Sequence, residues 1–187
     1  MSRAKKYNEG EVIEKAMQLF WRNGYESTSM NMLEKEMGIN KFSIYASFKN
    51  KEGVFVESLK MYRKNVHCIT KKLKEASADL DSVKQYFYDF LDFSQDGTNK
   101  KGCLVVNTVN EFGERAEPSI SLETKIFSQH IKGLFAEKLK GDKNKDEAMI
   151  EKQANYLLAS VMGLSLVSKI FTGAQIDDYI EMVFRNL

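Results

Sequence analysis

One proline stands in 187 residues, beside 11 glycines and without a Ser/Gly tract or a repeated block. A sandwich of turn-rich strands needs a breaker every few residues and a loosely tethered chain needs linkers, so this scarcity excludes both. A mostly helical chain remains, and the side chains recur accordingly. From Glu11 onward Val12, Ile13, Ala16, Met17, Leu19, Phe20 and Trp21 fall on helical spacing, and Gly24 stands where a glycine closes a helix. With 43% hydrophobic and 29% charged residues, the chain can bury a core as one medium domain or two small ones, which excludes a disordered polypeptide.

The same reading continues along the chain. Ser27, Thr28 and Ser29 offer capping hydroxyls to a short helix that runs through Met37 and stops at Gly38. Asn40 caps a third helix, Lys41 to Phe48, and two short helices joined this tightly form a helix-turn-helix. Asn50 opens a long helix from Lys51 towards Leu73, basic near its end. Asp79 or Asp81 begins a fifth, carrying Val83, Tyr86, Phe87, Phe90, Leu91 and Phe93 and closed by a turn at Gln95-Asp96-Gly97-Thr98. A sixth starts around Gly102, Pro118 suits the first turn of a seventh ending near Leu139, and GDKNKDE reads as a loop. Two further helices, Ala148 to Phe171 and Ile176 to Leu187, complete an all-α fold of about nine helices. The expected division is a three-helix module at 1–50 that holds the helix-turn-helix and a helical body at 51–187, with helix 51–74 joining them.

Residues 148–171 are apolar on almost every face, but Asn155, Ser160, Gly163, Ser165, Ser168 and Lys169 interrupt the run. With a mean hydropathy of −0.42, this excludes a membrane span. A helix apolar all round needs cover on both sides, and a second copy of the chain supplies it, so a homodimer through helices within 145–187 is expected. Two cysteines make no disulfide framework, and the N-terminus MSRAKKYNEG lacks an apolar leader, which points to the cytoplasm.

The formal charge of +2 conceals an asymmetry. Residues 1–74 hold 15 Lys/Arg against 8 Asp/Glu, whereas residues 75–187 hold 13 against 18. A basic first third on an acidic remainder suits a module that faces a polyanion, joined to a body with another task.

Several runs then carry a specific resemblance: Ala16-Met17-Gln18-Leu19-Phe20, Gly24-Tyr25-Glu26-Ser27-Thr28-Ser29, Gly38-Ile39-Asn40-Lys41, and Ile44-Tyr45 with Phe48-Lys49-Asn50-Lys51-Glu52. Over about fifty residues, in order and spacing, they resemble the DNA-binding module of the TetR/AcrR family. The resemblance implies three N-terminal helices for DNA, a linking fourth helix and a divergent body for ligand and dimer contacts.

A recognition helix enters the major groove N-terminus first, which places Lys41, Phe42, Ser43 and Tyr45 nearest the bases. Lys41 suits guanine acceptors, Phe42 a thymine methyl, and Ser43 is permissive. The family places a tyrosine such as Tyr45 on a phosphate, but where it often continues His-His or His-Tyr this chain has Ala46-Ser47. Lys51 and the helix N-terminus beside it suit a phosphate, as do Thr28 and Ser29, while Asn31 suits a base and Lys5 and Lys6 a groove or the backbone. Phe20, Tyr25, Ile44 and Phe48 are expected in the core. The partner is then a palindromic double-stranded operator, with two recognition helices about 34 Å apart in a two-fold dimer. Ligand-driven movement of the fourth helix would alter that spacing and release the DNA.

Lys100-Lys101-Gly102-Cys103-Leu104 places a thiol at the start of a helix behind two lysines, and both features favour the reactive thiolate. The Gly-Cys-Leu start resembles a branch of the family that includes repressors of electrophile and oxidant defence genes. In that branch a late lysine lies near the thiol, and Lys169 holds a similar place here. Two alternatives stay open: Cys103 is a packed small hydrophobe, or the signal is an apolar small molecule held among Tyr86, Phe87, Phe90, Phe112, Phe127 and Tyr156. Those aromatic residues equally suit plain core.

His67, Cys68, His130 and Cys103 have no metal-ligand spacing, and no cofactor motif occurs. The absence of a phosphate loop, a nucleophile elbow or paired histidines argues against an enzyme. The rival to a regulator is a helical, dimeric small-ligand carrier without a DNA function, distinguished by salt-dependent duplex binding.

Overall fold

The computed structural model describes residues 7–96, 99–185 and 187. Its helices are α1 (Glu9–Asn23), α2 (Met30–Met37), α3 (Lys41–Phe48), α4 (Lys51–Glu75), α5 (Leu80–Phe93), α6 (Leu104–Phe112), α7 (Pro118–Leu139), α8 (Glu147–Val167) and α9 (Gly173–Arg185). Between α5 and α6 a minimal antiparallel ladder pairs β1 (Gln95–Asp96) with β2 (Asn99–Lys100), where the sequence reads as a plain turn. No helix among the described residues is long and apolar enough to cross a membrane. The chain divides into two compact units, residues 1–65 with 107–124 and residues 66–106 with 125–187, so α4, α6 and α7 each contribute to both.

In the first unit the short helices begin at side-chain caps: Asn8 Oδ1 accepts from Gly10 and Glu11, Ser29 from Met32, and Asn40 from Ser43. Each such cap contributes about 1 kcal/mol by satisfying an otherwise orphaned N–H. Leu33 and Ile44 are fully buried and Met37 nearly so, and they close the small core with Phe20 and Phe55, whose rings meet edge-on at 4.8 Å. The α3–α4 corner is unusually tight. Lys49 takes φ 70°, and a Cβ placed on Gly53 would lie 1.9 Å from the Phe48 carbonyl oxygen, so only glycine admits this approach. Arg63 bonds Glu123 at 3.0 Å across this unit.

In the second unit Phe87 is fully buried between Phe135 and Phe184, at 6.2 and 5.2 Å, and Tyr86 meets Phe135 edge-on at 5.4 Å. Lys138 is buried, and its ammonium donates to the carbonyls of Lys74 and Ala76 at 3.0 and 2.6 Å. A lysine on the last carbonyls of a helix is favourable, and here it closes the C-terminus of α4. The buried face of α8 runs through Ile150, Ala154, Leu157, Val161 and Leu164, with Met149 and Tyr156 exposed outside it. This helix stops at Val167 rather than reaching Phe171, because Lys169 N–H and Ile170 N–H bond back three residues to Leu166 and Val167 and tighten the last turn. α9 starts three residues before Ile176. Thr172 and Gln175 form a reciprocal cap, Gln175 Oε1 accepting from Thr172 N–H at 2.9 Å and Thr172 Oγ1 from Gln175 N–H at 3.4 Å.

Candidate nucleic-acid interface and sensor cysteine

Among the described residues, α3 presents the most exposed large apolar side chain of the chain: Phe42 is 81% exposed, and Tyr45, on the same helix, is 48% exposed. Such a side chain suits an apolar partner, and a thymine methyl in the major groove is one. Lys41 and Ser43 are half-buried beside it and Asn31 is exposed on α2. α3 is held at both ends. Glu34 Oε1 accepts from Lys41 N–H at 3.2 Å, and the Tyr7 hydroxyl lies 2.7 Å from Ser47 Oγ and donates to the Ser43 carbonyl at 3.4 Å. Neither tie is foreshadowed by local sequence. Lys5 and Lys6 lie outside the described residues.

Three expected phosphate contacts are placed differently from one another. Ser29 is exposed, and its hydroxyl accepts the Met32 N–H. Thr28 is fully buried, and its hydroxyl donates to the Gly24 carbonyl at 2.6 Å, so it closes the α1–α2 turn and has no surface to offer a phosphate. The Lys51 ammonium sits 4.2 Å from the centre of the Tyr25 ring and 3.5 Å from the Glu26 carbonyl oxygen, a cation–π contact worth about 1 kcal/mol that draws it back over the turn. Burial, with the carboxylates of Glu52, Glu26, Glu117 and Glu111 around it, raises the Tyr25 pKa and keeps that ring neutral.

The turn is also gripped by a residue that the sequence does not single out. Both carboxylate oxygens of Glu111, in the last turn of α6, accept backbone N–H groups, from Tyr25 at 2.9 Å and Glu26 at 2.8 Å. Gly24 has φ 81°, and a Cβ there would come within 3.1 Å of the same carboxylate. Phe112, expected in a ligand pocket with five other aromatics, packs against Tyr25 and Phe55 at 5.0 and 5.9 Å in the first unit. Tyr86, Phe87, Phe90 and Phe127 are buried in the second unit, where Tyr156 is 41% exposed. Tyr86 does edge a cleft of about 260 Å³ with Leu73, Ser82 and Asp89. Burial drives its hydroxyl pKa far upward, with smaller contributions from Cys103 and Cys68.

Cys103 directly precedes α6 and is 3% exposed, and its backbone N–H donates to Ser165 Oγ at 2.7 Å. Gly102 beside it has φ 66°, and a Cβ there would meet Ser165 O at 2.8 Å and both Ser165 Oγ and Lys169 Cε at 2.9 Å. The glycine therefore lets the Lys169 stem cross the segment that carries the thiol. Partial burial lowers the Lys169 pKa from the ordinary lysine value, and the charge of an ionised Cys103 would pull it the other way.

Within the first unit, α1, α2 and α3 follow one another through short turns, with α2 and α3 each capped by a side chain, which is the arrangement of a helix-turn-helix DNA-binding module. Residues 12–57 match the bacterial regulatory proteins of the tetR family. The chain therefore resembles that family over its helix-turn-helix segment. It is 24% identical over 176 residues to the HTH-type transcriptional regulator YezE of Bacillus subtilis, covering 91% of this chain and 90% of YezE. With the HTH-type transcriptional repressor ComR of Escherichia coli it shares 31% identity over 113 residues, 56% of this chain and 51% of ComR. Its fold is similar to that of a cysteine mutant of the TetR family regulator CifR complexed with double-strand operator DNA, with TM-score 0.81, 24% identity and 98% of both chains covered.

Proposed function

We propose that the chain is a homodimeric repressor, held on a palindromic operator by α2 and α3 in the cytoplasm and released when Cys103 is oxidised. The observation that carries the DNA reading is the exposed Phe42–Tyr45 face of α3. Repression is favoured by similarity to ComR, a repressor by name, and to CifR, which binds operator DNA as a cysteine mutant. Met149 and Tyr156 on α8, one heptad apart, and Met182 on α9 leave apolar side chains 41–50% exposed, a stripe that a second copy would cover.

The oxidation follows from Cys103 and Lys169. Hypochlorous acid, small and uncharged, reaches a buried thiol. The thiolate displaces chloride from it and becomes a sulfenic acid. The neutral amine of Lys169 then attacks that sulfur, forming a sulfur–nitrogen bond and releasing water. A lowered lysine pKa enlarges the neutral fraction available for this step. The α6 start would shift as the bond forms.

Electrophoretic mobility shift tests both parts. A palindromic duplex should bind far more tightly than its half-site, with log affinity falling linearly with log salt, and equal affinities would overturn the dimeric reading. Hypochlorite should strip the wild-type protein from the duplex and leave Cys103→Ser bound. Release of Cys103→Ser under the same dose would remove the thiol from the signal.

A further inference from the structure

The α1–α2 turn decides where the N-terminus of α2 faces, and a residue 85 and 86 positions further along the chain holds it. Glu111 places one carboxylate oxygen on each of two successive N–H groups, at 2.9 and 2.8 Å. The turn is shaped to receive it, since Gly24 takes φ 81° and lacks the Cβ that would crowd both oxygens at 3.1 and 3.2 Å. The next residue, Phe112, seals the contact against the Tyr25 ring. On the other side of the turn, Gly24 O accepts the Thr28 hydroxyl and Ser29 caps α2.

We propose that Glu111 is a positioning residue for operator binding. It touches no DNA. It fixes the α1–α2 turn, and through that turn the α2 N-terminus and the α3 helix that follows it. A carboxylate near a surface meant for a polyanion is otherwise a liability, because it repels phosphate. Two backbone N–H groups absorb that charge here, and a charge-assisted pair fixes geometry more sharply than a neutral one. This inference rests on the reading that α2 and α3 face the operator.

The experiment uses the full chain and a duplex that the wild-type protein selects from a random-sequence library. Glu111→Gln preserves size but turns an amide NH₂ towards at least one N–H donor. It should remain folded and dimeric, keep its affinity for random duplex, and bind the selected duplex about tenfold more weakly, the scale of losing one or two charge-assisted hydrogen bonds. The slope of log affinity on log salt should not change, because no phosphate contact is lost. Unchanged affinity for the selected duplex would overturn the proposal while leaving the operator reading intact. A wild-type protein that selects no duplex overturns both. Amide exchange in the wild-type protein gives a check that needs no variant: Tyr25 and Glu26 N–H should be protected, and fast exchange at both would remove the contact on which the proposal stands.

Discussion

Tyr7 contributes little to the core and much to the placement of α3, since its hydroxyl bridges Ser47 Oγ and the Ser43 carbonyl while the ring stays half-buried. Removing only that oxygen isolates the tie. Tyr7→Phe should cost about 1 kcal/mol of stability, the usual net worth of one hydrogen bond, and weaken binding to the palindrome by a few fold. Calorimetry and mobility shift measure the two together, and an unchanged affinity would confine Tyr7 to packing. At this scale the sequence is legible where chemistry is local and opaque where it is not. Ser29 and Asn40 read as caps because a capped N–H lies two or three residues away. Thr28 and Lys51 read as phosphate ligands because their competing partners, the Gly24 carbonyl and the Tyr25 ring, are set by how the turn folds back. Glu111 is wholly illegible, since nothing near it in sequence announces two N–H groups on another helix pair.

Elements are the scale at which the sequence speaks most plainly. The ends of α2, α3 and α5 follow from Ser29 with Gly38, Asn40, and Asp79 Oδ1 on Ser82 N–H. Where boundaries depart, as at the end of α8, a tightening of the final turn is responsible and hydropathy does not report it. The Thr172–Gln175 pair is a capping-box signal that places the start of α9, and hydrophobic periodicity alone sets that start too late. Gly53 is the sharper case. A glycine in the first turn of a long helix looks like a weakness, yet the Phe48 carbonyl occupies the space a Cβ needs. Gly53→Ala must therefore push α3 and α4 apart. Overpacking of this kind costs roughly 1–3 kcal/mol, which at about 2–4 °C per kcal/mol lowers the melting temperature by around 5 °C. Differential scanning calorimetry checks this, and a melting temperature at or above wild type would show that the corner relaxes freely.

For the whole molecule, the charge division of 15 basic against 8 acidic residues before position 75, and 13 against 18 after it, matters only if two such chains meet. A single helix-turn-helix holds few phosphates, so useful affinity comes from two modules on one duplex. The dimer reading places that demand on the exposed stripe of α8 and α9. In a two-fold interface every substitution appears twice, and a carboxylate at the centre of an apolar patch loses its water without gaining a partner. The double variant Met149→Glu, Tyr156→Glu should therefore sediment as a monomer at concentrations where the wild-type chain is a dimer, with its helical circular dichroism unchanged, because both side chains already face solvent in the isolated chain. Its affinity for a half-site should equal that of the wild type, whereas its affinity for the full palindrome should fall to the half-site value. A variant that still sediments as a dimer would move the interface off this stripe, and one that keeps tight palindrome binding as a monomer would separate operator affinity from dimerisation altogether.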